Sequence, residues 1–221
     1  MSSMKLWVVG VIPDSEARAL PDRFAHLYEP WTGERPGYVE SLGWWTGGGD
    51  REPCFTPCTS GSGDLVATAA AVRLDRLIDD SNVEIASVEA MKDASLSLMP
   101  RAVGMGRFAA TGRSANPVAA LHYALGYESA AKLPGWFGDF LLPAEAVVAA
   151  LPGVEEALRP TGTRRAEVLS RISDWMAVMG GDRAFDAAEL LDGPLRVFQH
   201  AADTRSGASA FSRATHGTTR A

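Results

Sequence analysis

The sequence predicts a helix-rich α+β domain with a small sheet and one long glycine- and tryptophan-rich loop. Three observations carry that expectation. Leu6–Ile12 is rich in aromatic and β-branched residues and reads as a buried strand. Most of the chain beyond residue 64 places apolar residues at helical spacing between capping residues. Segment 29–63 follows neither period and is dense in Gly, Pro and Trp.

Element by element, Pro13 ends the first strand, Asp14 caps a short helix through Leu20, and Pro21 restarts one carrying Phe24 and Leu27. After the long loop, Asp64 is expected to cap a helix whose apolar side is Leu65, Val66, Ala70, Leu74, Leu77 and Ile78. Segment 82–99 mixes both periods, and its helix formers Glu84, Glu89, Met91 and Lys92 favour a helix that Pro100 stops. Asn116 as N-cap, Pro117 in the first turn and Gly126 past the last define the clearest helix. Phe137–Leu142 reads as a short strand, and Pro143 opens a helix that Pro152 and Gly153 break. Val168, Ile172, Trp175 and Met179 form one stripe of a helix that Thr163 caps. Pro194 starts a last helix with Leu195, Phe198 and Ala201. The expected organisation is one domain over residues 1–202, with an excursion at 29–63, and a flexible tail at 203–221.

Composition narrows the function classes. Of 221 residues, 46% are hydrophobic and 22% charged, so the chain can hold a core without disulfides. The net charge of −6 argues against nucleic acid as a partner, because a phosphate-binding surface shows a basic excess. No stretch approaches the roughly 18 apolar residues of a spanning helix, so no membrane association is expected. Cys54 and Cys58 are the whole cysteine inventory, which suits a reducing, cytoplasmic setting. The first apolar run is short for a signal sequence and lacks a small-x-small cleavage site.

The motifs are weak individually. Cys54 and Cys58 are separated by three residues, and His26, His122, His200 and His216 are scattered, so no metal ligand set is expected. Thr59–Gly63 lacks the lysine of a phosphate loop and reads as a turn before an acidic cap. Gly104-Met-Gly106-Arg-Phe-Ala109 fits a relaxed dinucleotide pattern, but Pro100 and Arg101 stand where a strand should precede it. No cofactor is therefore called for. Trp44 and Trp45, in a loop with Gly43 and Gly47–Gly49, either fold over the core or serve as a binding anchor beside Arg51.

Two expectations about function follow. The first is a non-catalytic protein-binding module, analogous at the level of class to bacterial immunity proteins, whose acidic surface and Trp-rich loop meet a basic protein partner. Trp44, Trp45, Arg51, Arg107 and Arg113 are its candidate ligand-binding residues. The second is a small-molecule enzyme acting on an anionic substrate. In that reading Cys58, His26 or His122 supplies acid–base or nucleophilic chemistry, and Arg101, Arg107 or Arg113 holds the anion. The oligomeric state is not legible in the sequence.

Overall fold

A computed structural model describes residues 4–27, 35, 37–58, 64–81 and 86–215. In chain order the elements are β1 (Met4–Ile12), α1 (Asp14–Phe24), α2 (Tyr38–Thr46), β2 (Phe55–Pro57), β3 (Leu65–Ala67), α3 (Ala69–Ser81), α4 (Ala86–Leu98) and β4 (Arg107–Arg113). Then come α5 (Pro117–Leu125), α6 (Tyr127–Ala130), β5 (Phe140–Leu142), α7 (Ala144–Leu158), α8 (Gly162–Gly180), α9 (Ala187–Asp203) and β6 (Gly207–Thr215). The chain is a helix-rich α+β domain, as its sequence implies.

The centre is a four-stranded antiparallel sheet in the order β4-β1-β6-β5. Alternation along β1 divides the core in two. Val8 and Ile12 join Phe211 beneath α1 and α4, where Leu20 and Met99 seal that side. Trp7 and Val9 join Phe108 and Ala210 on the opposite face, covered by α5, α7 and α9 and backed by α8. A second, two-stranded sheet pairs β2 with β3 beside α8.

Helix α9 approaches the sheet closely because its middle has almost no side chain. At Gly193 a Cβ would stand 2.2 Å from the Phe108 ring. Pro194 follows inside the helix and is buried. The expected helix start at Pro194 is corrected: α9 begins at Ala187, and Asp186 Oδ1 caps it by accepting from the Glu189 N–H at 2.9 Å.

Other boundaries also move. Residues 203–221 are not simply a tail, because Gly207–Thr215 pairs with β1 over its whole length. This strand is covered on both faces and carries small residues there, Ala208, Ser209 and Ala210, with Phe211 its one large apolar side chain. Polar, small-residue composition imitates a mobile end; residues 216–221 lie outside the described part. Prolines 21 and 152 sit within continuous helices α1 and α7 instead of dividing them. Asp64 leads into β3, and the helix expected there starts at Ala69. The glycines at 104 and 106 precede an antiparallel strand and not a βαβ unit. The excursion 29–63 holds α2, a 3-10 turn at Gly49–Arg51 and β2, while Trp31 and the Thr59–Gly63 run lie outside the described residues.

Candidate functional site

Helix α5 builds the floor of the site. Asn116 Oδ1 accepts from the Val118 N–H at 2.9 Å, and Pro117 occupies the first turn, so the N-terminus forms as its sequence dictates. Nearly every α5 side chain is buried, as expected for a helix apolar all round. His122 sits in its last turn at 5% exposure. Its Nδ1 lies 2.9 Å from the Val118 carbonyl oxygen, which can only accept, so Nδ1 carries the proton. Burial lowers the His122 pKa to about 4, and the ring is neutral at physiological pH.

Two elements close over this floor. Helix α2 supplies Leu42 and Trp45; Trp45 is buried edge-on against Tyr127, with ring centroids 6.2 Å apart. A tight turn at 136–139 supplies the opposite wall. The Trp136 N–H donates to the Asp139 carbonyl at 2.9 Å, and the Asp139 N–H returns the bond at 3.1 Å. Phe137 and Gly138 have φ of 46° and 84°, the backbone of a type I′ turn. A Phe at positive φ is strained and persists only where neighbours hold it. The holders are visible. Phe137 packs on the His122 ring at 5.4 Å, and the Trp7 indole N–H donates to the Gly138 carbonyl at 3.1 Å.

Between these walls lies an aromatic pocket of about 210 Å³, with His122, Leu42, Trp45, Tyr127, Leu133 and Phe137 among its lining residues. Trp136 stands at its edge, 50% exposed. Across Thr46 and Tyr127 the pocket adjoins a wider basin of about 750 Å³. Arg51, Arg164 and Arg171 line this basin with Asp50 and Glu128. Arg164 and Arg171 are seven positions apart on α8, two turns along one face. The Arg171 guanidinium lies 4.2 Å over the Tyr123 ring, and its buried Nε has no hydrogen-bond partner. Arg164 donates to the Leu125 carbonyl at 2.8 Å. Asp50 Oδ2 accepts from the Tyr127 N–H at 3.1 Å, so part of its negative charge is already engaged.

The structure brings some expected residues together and separates others. Trp45 and His122 share the pocket, and Arg51 lies in the adjoining basin. Trp44 is half-buried; its indole N–H donates to Glu52 at 2.7 Å and the Arg73 guanidinium lies 5.0 Å above its ring. Arg107 and Arg113 stand at opposite ends of β4, about 20 Å apart at the usual ~3.4 Å rise. They form no joint clamp, and Arg107 instead donates to the carbonyls of Pro100 and Arg101 at 3.2 and 3.3 Å. His26 belongs to the 3-10 turn that packs with α1 and α4, so the sheet separates it from His122. Cys58 ends the β2–β3 hairpin, its N–H donating to the Asp64 carbonyl at 2.7 Å. The helix start expected beside that thiol at Asp64 is absent, because β3 follows there and α3 begins at Ala69. Cys54 is buried, and desolvation raises its thiol pKa to about 11.

Sequence reasoning missed Trp136, Tyr127, Arg164 and Arg171. Signals existed: Gly135-Trp-Phe-Gly138 sets two large aromatics between turn residues, and Arg164 and Arg171 share a helical face. Among the described residues no group of three His, Cys, Asp or Glu side chains could hold a metal ion, and no helix is long and apolar enough to cross a membrane. No protein-family model, no curated protein and no solved structure matches this chain.

Proposed function

We propose that the chain is a non-catalytic protein-binding module that receives a partner segment in this two-part cleft. One observation carries the reading: the aromatic pocket and the arginine basin meet across Tyr127 and Thr46, so a single segment can fill both. Trp and Arg are the side chains that most often dominate interface energetics, and Trp136 offers an exposed ring at the rim. The partner's contact here is acidic. A basic partner suits the net charge of −6 taken over the whole surface, but in the basin Arg164 pairs with Glu167 while Arg51 and Arg171 have no carboxylate partner among the described residues. Cys54 and Cys58, not joined in a disulfide, accord with a reducing, cytoplasmic setting for this role.

The alternative, an enzyme acting on an anion, draws less support. The neutral His122 spends one nitrogen on its own helix, and Cys58 and His26 stand on other elements.

Photo-cross-linking tests the reading. A photoreactive residue at Val39 or Trp136 should capture one saturable partner in cells of the source organism, whereas one at Ser97 on α4 should not. Equal capture at all three positions, or none, contradicts it.

A further inference from the structure

We infer that the partner's anchor is a Trp or Tyr side chain flanked by carboxylates, with the anchor's N–H or O–H donating to His122 Nε2. This rests on the reading of the cleft as a protein-binding site and specifies what it selects.

The pocket itself demands a donor. With the proton on Nδ1 and committed to Val118, His122 Nε2 bears a lone pair, and no described residue donates to it. The ring is 5% exposed and lines the aromatic pocket. A hydrocarbon anchor would fill the volume and leave that acceptor cut off from water, which is costly. A carboxylate anchor would set negative charge against the lone pair among apolar walls. A Trp or Tyr ring satisfies both needs, since it packs edge or face against Trp45, Tyr127 and Phe137 and carries one donor.

The basin demands the flanking charge. Arg51 and Arg171 form no ion pair among the described residues. Stacking on Tyr123 fixes the plane of the Arg171 guanidinium, and its buried Nε lacks an acceptor. A planar, oriented guanidinium with no carboxylate partner among the described residues is a receptor for a carboxylate. Because the basin begins where the pocket ends, the carboxylate belongs within a residue or two of the anchor.

The test uses the full chain and an acetylated, dye-labelled peptide of sequence Glu-Asp-Trp-Asp-Glu, titrated by fluorescence anisotropy. Two altered peptides accompany it, one with 1-methyltryptophan and one with Gln and Asn for the acids. Each alteration should weaken binding about tenfold, and salt should weaken only the acidic forms. The His122 Nε2 nitrogen resonance should move upfield with the parent peptide and stay in place with the methylated one. The exposed-site variant R51Q should reduce the preference for acidic over neutral peptide while keeping the native spectrum. Equal affinity for all three peptides, no binding of the parent, or an unmoved His122 resonance overturns the inference. A partner that still cross-links through Val39 or Trp136 in that case leaves the binding-cleft reading standing, so the two failures are distinguishable.

Discussion

The Trp136 indole N–H donates to the Tyr38 hydroxyl oxygen at 2.8 Å, joining residues 98 positions apart in the chain. That bond ties the strained turn at 136–139 to the first residue of α2, at the edge of the aromatic pocket. Both partners are partly solvated, so its contribution to global stability is small. The variant Y38F should therefore lower stability by no more than about 1 kcal/mol. It should speed solvent exchange of the Trp136 indole proton by on the order of tenfold, read by NMR. Unchanged exchange would show that the turn holds itself without α2.

His122 makes stability depend on pH in a predictable direction. Burial lowers its pKa from 6.5 to about 4, so between those values the unfolded chain binds a proton that the folded chain resists. Its contribution is complete above pH 6.5 and falls away as pH drops toward 4, by about 3 kcal/mol in total. H122Q removes the titrating group and should flatten that part of the profile, measured by urea unfolding at pH 5 and pH 7.

Asp75 acts in the opposite sense. Desolvation, with Asp79 beside it, raises its pKa from 3.8 to about 6, and its Oδ1 has no hydrogen-bond partner. A raised folded pKa gives stability at low pH that is lost as pH climbs through about 6. D75N should then raise the melting temperature at pH 7, by roughly 1–3 kcal/mol of stability, and change little at pH 3.5. In the natural chain the two groups offset each other between about pH 4 and 6, so D75N should also steepen the pH dependence attributed to His122.

The closeness of α9 to the sheet predicts a severe effect from one methyl group. G193A places a carbon within 2.2 Å of the Phe108 ring, where neither a buried helix nor a buried ring can yield cheaply. A loss of roughly 1–3 kcal/mol is expected in urea unfolding. F108L should recover part of it in the double variant, because the smaller side chain gives up the space in dispute.

Strand β6 supplies a prediction that also measures what the sequence concealed. A chain ending at Asp203 loses the neighbour of both β1 and β5 and exposes Val8, Val9 and Ile12 on an open edge. It should not fold, seen as loss of dispersed amide resonances. From composition that segment looks dispensable. Ser, Ala and Gly are common in mobile ends, and they also suit a strand that a helix approaches closely, as α1 does at Gly207, where a Cβ would stand 2.6 Å from that of Ala17. Leu6–Ile12 was recognisable because its partners demand large side chains from it. Ala208–Ala210 was not, because its partners demand small ones.

The same contrast governs the site. Helix α5 and the stripe Val168, Ile172 and Trp175 were legible, since caps and helical spacing are local signals. Trp45 stood out as an aromatic among glycines, although the sequence could not say that it is buried and Trp44 only half so. Trp136, Tyr127 and Arg171 become one site only when the turn at 136–139, α6 and α8 meet, and nothing local encodes that meeting. The separation of Arg107 from Arg113 was open to anyone who read β4 as a strand. The glycines at 104 and 106 drew attention to a nucleotide pattern instead.

Hydrogen exchange on the chain, free and bound to the partner recovered by cross-linking, tests the binding cleft most directly. Slowed exchange confined to α2, the turn at 136–139, α6 and the N-terminal half of α8 is the predicted result. Protection on α1 and α4 instead, across the sheet from His122, would contradict it.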